Sequence, residues 1–520
     1  MKKVISRRQF MQRLGYTVGS YALLPSISFA NTRNQFNPLV IPAILTGTQK
    51  GGIKTYQLTA QQGISNFLPG LETETWGFNG AYLGPILRAK KGDKIRIEVT
   101  NHLKEPTTTH WHGMILPAKM DGGPHQDILP NQPWISEYSI IQPAASLFYH
   151  AHPHGKTGDH VYRGLAGMFI IDDDESLQKG LPTEYGVDDV PLILQDRDIN
   201  SDGSLNYINF MPERMTGKHG KTLLVNGGVS ASLKAQKTLL RFRLLNASNA
   251  RFYHLHFNDN RPFQVIASDG GLLDTAKTVQ QLAIAPAERY EILVDVSDKK
   301  QIMLQSAGGL GNAGHGPMAM RGMDRDFDVL MIDATQATKT EHTVPKQLTQ
   351  YADWSQQNIA NRRTFDLQMG MGGGMMGGGR MGGGMGNRMM GHGREGGGMM
   401  GGGHMGAGMM KINDQAFDIN RIDFSLKPNT FEIWDITNSS GMVHPFHVHN
   451  TQFRILSRNG QQPNVTELGY KDTVIVHRHE TVKILLPTGP YSEPKMPYMY
   501  HCHILEHEDG GMMGQFTVNS

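Results

Sequence analysis

A repeated β-type pattern organises this chain. The pattern is a polar turn, a run of alternating apolar and polar residues, and then Asn or Thr-Asn, and a His-containing strand follows. The copies begin near Gly84 (GPILRAKKGDKIRIEVTNH), Ala231 (ASLKAQKTLLRFRLLNAS) and Phe424 (FSLKPNTFEIWDITNSS). Alternation with a period of two is typical of strands with one buried face. The repetition indicates one β-unit used three times.

The rest of the sequence supports an all-β fold. Short runs of Val, Ile, Leu, Phe and Tyr lie between Gly, Pro, Asn and Asp turns, and long amphipathic helical periods are absent. Such spacing favours β-sandwiches or barrels. The chain has 520 residues, which suggests about three domains at roughly 150 residues each. We predict domains at 36–175, 188–335 and 345–520.

The third predicted domain contains an unusual insertion. Residues 369–410 comprise 21 Gly and 13 Met in 42 positions. Glycine at this density disfavours a regular helix or strand. We therefore expect a flexible Met/Gly-rich insertion, although a spacer with incidental Met is the plainer interpretation.

The first thirty residues predict export. Ser6-Arg7-Arg8-Gln9-Phe10-Met11 is a twin-arginine pattern, an apolar stretch follows, and Ser28-Phe29-Ala30 has the small-x-small form of a cleavage site. Residues 1–30 thus predict a signal peptide and a periplasmic protein. The stretch is too short and polar for a membrane anchor.

The charge balance gives no reason to expect a nucleic-acid partner. Residues 1–30 carry five basic residues and no acidic ones, so residues 31–520 carry 45 basic and 47 acidic residues. The basic character of the whole chain belongs to the predicted signal peptide. The single cysteine, Cys502, excludes a disulfide within the chain.

Four clustered His motifs carry the chemistry. They are H-W-H-G at 110–113, H-A-H-P-H-G at 150–155, H-P-F-H-V-H at 444–449 and H-C-H-I-L-E-H-E-D-G-G-M at 501–512. Imidazole suits copper, and a thiolate with a weak thioether beside two imidazoles describes a blue-copper site. Together the motifs are far more specific than one His-x-His pair. His254-Leu-His256 is such a lone pair, and we expect it to bind no copper.

Strand geometry divides these motifs into two sites. Side chains alternate between the faces of a strand, so Cys502 faces one way and both His501 and His503 the other. His444 differs in parity from His447 and His449. The sequence therefore predicts one mononuclear site linked through Cys502 to a cluster of eight His.

The motifs resemble those of the multicopper oxidases over nearly the whole chain. This resemblance implies three cupredoxin-like domains, with copper held by the first and third. It also implies four copper ions: one type 1, one type 2 and two type 3. The implied ligands are His444, Cys502, His507 and Met512 for type 1, His110 and His447 for type 2, and His112, His152, His154, His449, His501 and His503 for type 3.

One ligand choice stays open. His150, His152 and His154 would alternate on one face of an extended strand, and the family pattern needs two. The Gly after His154 matches the Gly after His112 and favours His152 and His154. The alternative is that His150 replaces one of them.

The resemblance is greatest to the periplasmic CueO-like cuprous oxidases of copper efflux. The twin-arginine pattern, DGGPHQ from Asp121, KINDQAFDIN, HPFHVHNTQFRIL and the Met-rich insertion point there. In those enzymes the Met-rich segment includes a helix over the type 1 site, whereas Gly dominates here. The substrate-binding Met positions therefore cannot be transferred. Met442 could form part of a docking surface or simply pack.

The resemblance also implies a reaction. Electrons from Cu(I), or from another small reducing substrate, would enter at type 1 copper and reduce O2 to water at the trinuclear cluster. Asp121 and Glu508 match acidic residues that relay protons in the family. The plainer roles are a turn residue for Asp121 and a group orienting a ligand His for Glu508.

Three functions remain open from the sequence. The first is a cuprous oxidase that protects the periplasm from Cu(I). The second is a laccase-like phenol oxidase or a ferroxidase. The third is a non-enzymatic copper-storage protein or cupredoxin scaffold, although scaffold relatives lack copper ligands that this chain retains. We expect a monomer without a membrane anchor.

Overall fold

Each repeated stretch forms part of a pair of β-sheets. The structure is a computed structural model that describes residues 36–208, 210–308, 325–370 and 409–520. The predicted signal peptide lies outside these ranges, and so does the Met/Gly-rich insertion apart from its ends. The described residues belong to one compact body, 36–520. Within it, the three pairs of sheets described below are called the first, middle and third units.

The first pair of sheets is built from residues up to 177. Its strands form sheets of order β2-β6-β11-β10-β8 and β3-β4-β7-β9, with β5 on β4. The elements are β1 (Asn37–Pro38), β2 (Ile44–Leu45), β3 (Thr48–Lys50), β4 (Ile53–Ser65), β5 (Thr73–Phe78), β6 (Ile86–Lys90), β7 (Lys94–Asn101), β8 (His110–His112), the 3-10 turn Ala118–Met120, β9 (Pro133–Ser139), β10 (Ala145–His150), α1 (Thr157–Arg163), β11 (Ala166–Asp172) and α2 (Asp174–Leu177).

The second pair comprises two six-stranded sheets. Their orders are β1-β14-β22-β21-β16-β19 and β13-β12-β15-β20-β17-β18. The elements are β12 (Asp189–Arg197), α3 (Met211–Thr216), β13 (Thr222–Val225), β14 (Ala231–Lys234), β15 (Leu239–Asn246), β16 (Tyr253–Phe257), β17 (Phe263–Ser268), β18 (Gly271–Val279), β19 (Gln281–Ile284), β20 (Arg289–Asp295), β21 (Gln301–Ala307) and β22 (Phe327–Asp333).

The third pair comprises two five-stranded sheets. Their orders are β24-β23-β26-β30-β28 and β25-β32-β31-β27-β29. The elements are β23 (Ile359–Met369), β24 (Met410–Ile412), β25 (Phe424–Leu426), β26 (Phe431–Asn438), β27 (His444–Val448), β28 (Arg454–Arg458), the 3-10 turn Val465–Glu467, β29 (Thr473–Val476), β30 (Thr481–Pro487), β31 (Glu493–Cys502), α4 (Leu505–Asp509) and β32 (Met513–Val518).

The alternation seen in the sequence is the alternation of burial. In β7 the side chains of Ile95, Ile97 and Val99 are buried, and the residues between them are more exposed. Each pair of sheets encloses its own apolar core, as expected of a β-sandwich or barrel.

The first described strand crosses between units. β1 pairs in parallel with β14, so Asn37 lies opposite Ala231 in a sheet of the middle pair. The predicted first-domain range, 36–175, therefore includes a strand that completes the second pair of sheets. A two-residue strand carries too little pattern for the sequence to reveal this.

Strands β8, β10 and β27 and the end of β31 depart from alternation because they are buried on both faces. One face packs on its own core, and the other lies where the first and third units meet. Cross-contacts hold that junction: Tyr498 donates to the carbonyl of Leu116 at 2.7 Å, and the backbone N–H of Leu116 donates to Asn450 at 3.0 Å. Each of the four His motifs begins on one of these doubly buried strands.

Among the helices in the described ranges, none has the length and apolar character needed to cross a bilayer.

Candidate copper centres

Eight imidazoles converge between the first and third units. All eight are at most 1% exposed. The closest pairs are stacked: His112 on His447, with ring centroids 3.6 Å apart, and His110 on His449, at 3.8 Å. The set is His110, His112, His150, His152, His447, His449, His501 and His503.

Strand register places these residues opposite one another. In the first unit, His110 of β8 lies opposite His150 of β10. In the third unit, His447 of β27 lies opposite His501 of β31. Each unit thus presents a patch of imidazoles, and the junction brings the two patches together. The prediction of a cluster formed jointly by the outer repeats agrees with this geometry.

The structure corrects the sequence prediction at one position. It places His150, and not His154, among the eight imidazoles: His150 is fully buried, whereas His154 is exposed. The physical reason is that β10 ends at His150, so the alternation of an extended strand does not continue to residue 154. The chain turns at Gly155, which has a φ of 69°, and enters α1.

Most of these imidazoles are oriented by an oxygen on one ring nitrogen. Backbone carbonyls lie at hydrogen-bond distance from Nδ1 of four of them: Asp121 from His110 at 2.9 Å, Asp472 from His447 at 2.8 Å, Ala151 from His150 at 2.9 Å and Cys502 from His501 at 3.1 Å. If Nδ1 carries the proton and donates, Nε2 is free to bind a metal.

Carboxylates orient other members of the cluster. Asp121 Oδ2 lies 2.7 Å from His449 Nδ1. Glu508 lies between two rings, with its oxygens 3.3 Å from His152 Nδ1 and 3.1 Å from His501 Nδ1. The two predicted proton-relay residues are thus both buried against the cluster, one on each side.

The inward-facing nitrogens lack protein partners. His110 Nε2, His112 Nδ1, His150 Nε2 and His447 Nε2 are buried without a hydrogen bond. Several sets of three possible ligand atoms lie within 4.8 Å of one another. Buried polar atoms without partners are costly, and a bound ion removes that cost. The donor set therefore fits copper, which imidazole nitrogens bind well.

The protonation state also suits metal binding. Burial lowers the pKa of His112, His447 and His449 well below the usual value, and neighbouring imidazoles lower it further. Burial likewise lowers the pKa of His152 to about 4. Near neutral pH these rings are uncharged, which is the form that binds metals.

A second, smaller site surrounds Cys502. Its Sγ lies 3.4 Å from His444 Nδ1 and 3.6 Å from His507 Nδ1, and those two nitrogens are 3.3 Å apart. The far nitrogens are held by other groups: His444 Nε2 by the hydroxyl of Ser440 at 2.7 Å, and His507 Nε2 by the carbonyl of Met215 at 3.1 Å. Met512 is buried in the same apolar core as Cys502.

The geometry fits a mononuclear copper site. One thiolate and two imidazoles in an apolar surrounding are the donors of a blue-copper centre, with a thioether as the weak fourth ligand. Burial raises the pKa of the Cys502 thiol, so the metal that binds there must displace a proton. The predicted division by parity agrees with this: Cys502 lies in the third-unit core, and His501 and His503 lie in the cluster.

The lone pair His254-Leu-His256 lies in the middle unit, outside both sites. Both residues are partly buried on β16, and neither belongs to a metal-compatible group in the described ranges.

Sequence reasoning missed Asp472. Its carboxylate lies 3.0 Å from His112 Nε2, and its backbone carbonyl accepts from His447 as described above. Asp472 belongs to no His motif and is separated from His112 by 360 residues, so the sequence carries no local signal for it.

The comparisons with known proteins agree with this geometry. Models described as multicopper oxidase match residues 59–176, 181–320 and 397–520. Multicopper oxidase mco of Staphylococcus aureus is 35% identical over 497 residues, covering 94% of each chain. The structure of the laccase-like multi-copper oxidase CueO from Ochrobactrum sp. is 32% identical, with a TM-score of 0.77, over 92% of this chain and 100% of that one.

The chain belongs to the multicopper oxidase family. It is an oxidase with cupredoxin-like domains, its metal is copper, and the family takes electrons from reducing substrates and passes them to O2. A relative with a different name is also similar: cell division protein FtsP of Escherichia coli is 32% identical over 522 residues, covering 99% of each chain.

Proposed function

We propose that this protein is a periplasmic cuprous oxidase, which oxidises Cu(I) to Cu(II) and reduces O2 to water. Four Cu(I) ions supply four electrons, and O2 takes them up with four protons to give two waters. The carrying observation is that Met410 and Met512 share the apolar core of Cys502, and that the Met-rich segment begins and ends at that core, at Met369 and Met410. Cu(I) is a soft ion that favours thioether ligands.

The two described ends of the Met/Gly-rich insertion pack in the core that contains Cys502 and Met512. Met369 closes β23 and lies opposite Met410, the first residue of β24. Met410 packs so closely on the segment before Met512 that a Cβ added at Gly510 would lie 3.0 Å from its Cγ. The 38 residues between the described ends, 371–408, contain ten Met. Thioethers of this segment would therefore be tethered near the entry point for electrons.

Two further methionines lie beside proposed type 1 ligands. Met215 is part-buried against the third-unit core, and its carbonyl holds His507. Met442 is part-buried two residues before His444, and Ser440 bonds both its backbone and His444. Both residues support capture of a soft ion beside the type 1 ligands.

We assign the copper ligands by combining the family pattern with the geometry. Four bound copper ions would supply one-electron transfer at the mononuclear site and O2 reduction at the cluster. The proposed type 1 ligands are His444, Cys502, His507 and Met512; the type 2 ligands are His110 and His447; the type 3 ligands are His112, His150, His152, His449, His501 and His503.

The chain's own residues supply three further functions. The His501-Cys502-His503 segment joins the two sites through covalent bonds, which gives electrons a short path. Asp121 and Glu508 hold the imidazoles they face and are placed to deliver protons as O2 is reduced. Because the eight imidazoles are buried, we propose these buried carboxylates as the groups that carry protons to the cluster.

The testing experiment compares oxygen consumption with Cu(I), Fe(II) and a phenol, using three forms of the exported, copper-loaded protein. The forms are the full chain, a variant lacking 371–408, and a full-length variant in which the ten Met of 371–408 are replaced by Leu. The Leu variant is the matched control, because it keeps length and glycine content and removes only the thioethers.

We expect the apparent KM for Cu(I) to rise about tenfold in both variants, which corresponds to about 1.4 kcal/mol of lost binding free energy. Copper content should stay unchanged, because the ligand motifs lie outside the segment. If the segment also covers the type 1 site, only the deletion should speed phenol oxidation. Unchanged Cu(I) kinetics in both variants would contradict a role for the thioethers, and a wild-type preference for Fe(II) or phenol would contradict the proposal itself.

A laccase-like phenol oxidase is the second candidate, and a cleft favours it. A space of about 480 Å³ opens between the middle and third units, lined by apolar Phe252, Val443 and Ile475 and by the imidazoles of His254 and His477. Val443 directly precedes His444, so an aromatic molecule there would lie beside a type 1 ligand. The Ochrobactrum relative is described as active towards lignin model compounds. The phenol arm of the same assay tests this candidate.

A further inference from the structure

The middle unit contributes none of the eight imidazoles, yet one of its side chains reaches the copper junction. Arg289, at the start of β20, is fully buried. Its guanidinium binds both oxygens of Asp472, with Nη1 2.7 Å from Oδ1 and Nη2 2.5 Å from Oδ2. This is the two-point geometry that makes an arginine–carboxylate pair directional.

The remaining donors of Arg289 are also occupied. Nε donates to the carbonyl of Ser146 at 3.0 Å, Nη1 to that of Ala287 at 2.9 Å and Nη2 to that of Asp269 at 3.0 Å. A guanidinium has five N–H donors, so all five are used. Ser146 belongs to the first unit, Ala287 and Asp269 to the middle unit, and Asp472 to the third. The side chain therefore fixes all three units relative to one another.

Asp472 passes this constraint to the cluster. Its Oδ1 lies 3.0 Å from His112 Nε2 and accepts from the Thr473 hydroxyl at 3.0 Å. With the proton on Nε2, His112 turns Nδ1 toward the cluster, whereas His110 and His447 leave Nε2 free. Asp472 thereby selects which nitrogen of His112 faces the metal.

The packing around this contact leaves no room for adjustment. A Cβ added at Gly113 would lie 2.5 Å from Asp472 Oδ2 and 2.7 Å from Arg289 Nη2, and Gly113 has a φ of 84°. The Gly that follows His112 is thus required by the approach of the Arg289–Asp472 pair as well as by its backbone conformation.

We propose that Arg289 and Asp472 are positioning residues of the copper cluster: the middle-unit guanidinium fixes the Asp472 carboxylate, which orients His112. The inference rests on the proposed function in one respect, because it takes His112 as a cluster ligand. It adds a role for the middle unit, which supplies none of the eight imidazoles but helps to orient His112 of the first unit through Asp472 of the third.

A purely structural role for Arg289 is the competing explanation, and the chain offers a matched control. Arg243 is also a buried middle-unit arginine. It pairs with Asp189 and Glu291 and donates to the hydroxyl of Ser146 at 3.1 Å. Arg243 thus makes a comparable buried ion pair toward the first unit, but none of these three partners belongs to the cluster.

The experiment uses the full chain carrying Arg289→Lys, Asp472→Asn or Arg243→Lys. Lysine keeps the charge but has three donors and no fork. Asparagine keeps the volume, and the backbone carbonyl that serves His447 remains. The readouts are copper per protein by elemental analysis, blue absorbance from the Cys502 site, and the ratio of EPR-visible spins to total copper.

We expect Arg289→Lys and Asp472→Asn to lose about 10- to 100-fold in affinity for cluster copper, as for other groups that orient a metal-binding His. Blue absorbance should persist. At saturating copper the EPR-visible fraction should rise, because a magnetically coupled pair gives no signal until the coupling is disturbed. Arg243→Lys should leave all three readouts at wild-type values.

Equal effects in Arg289→Lys and Arg243→Lys would overturn the proposal, and so would unchanged copper affinity in Asp472→Asn. Loss of blue absorbance together with cluster copper in Asp472→Asn would mean general misfolding and would also overturn it. A wild-type chain that bound copper only at the Cys502 site would instead refute the assigned cluster, and with it the proposed function.

Discussion

Replacing His150 and His154 separately by Ala tests which of the two binds copper. The sequence favoured His154, whereas the structure places His150 among the eight imidazoles. His150 is buried, its ring lies 4.5 Å from that of Phe148 and 5.3 Å from that of His503, and its Nε2 has no protein partner. His154 is exposed in a turn. The two substitutions remove the same group from positions four residues apart, so each is the control for the other.

The expected magnitudes follow from these environments. His154 contacts the ring of Phe417 edge-on, with centroids 5.3 Å apart, so His154→Ala should lower the free energy of unfolding by about 1 kcal/mol or less. His150→Ala should remove a metal ligand outright. We expect it to weaken cluster copper binding by at least the 10- to 100-fold that losing an orienting partner costs. O2 reduction should be lost with the copper.

The assay is copper per protein after dialysis against a graded chelator, with blue absorbance and oxygen consumption measured on the same samples. His154→Ala should match the wild type in all three. His150→Ala should keep its blue absorbance, lose cluster copper at low chelator concentration and consume no oxygen. The reverse pattern, with copper lost in His154→Ala and kept in His150→Ala, would refute the reasoning from strand register.

Two further substitutions test the two sites. Cys502→Ser should abolish both the blue absorbance and the oxidase activity, because a hydroxyl is too hard and too weakly acidic to replace the thiolate. The eight-imidazole cluster should still take up copper. A blue, active variant would rule out the type 1 assignment. Asp121→Asn should keep its copper and blue colour, because the backbone carbonyl still orients His110 and an amide oxygen can still accept from His449. Reoxidation of the reduced protein by O2, measured by stopped flow, should slow by about 10²-fold or more. Wild-type reoxidation across the pH range would leave Asp121 with an orienting role only.

The local sequence determined much of this protein. The period-two pattern predicted all-β units, and the four His motifs predicted two sites because side-chain parity within a short strand is a local property. His501-Cys502-His503 is the clearest case: three consecutive residues at and just after the end of β31 divide between the two sites. The family resemblance added the fold and the number of metal ions expected.

Tertiary structure decided the rest. The prediction for His154 was wrong because it assumed an extended chain up to residue 154. In the structure β10 ends at His150, and the chain turns at Gly155 into α1. The sequence could not indicate Asp472 or Arg289, because their roles depend on contacts with His112, which is 360 residues from Asp472. The orientation of a ligand imidazole is set by the hydrogen-bond acceptor that lies next to its second ring nitrogen, and packing decides which group that is. That acceptor is known only from the way the three β-units pack together.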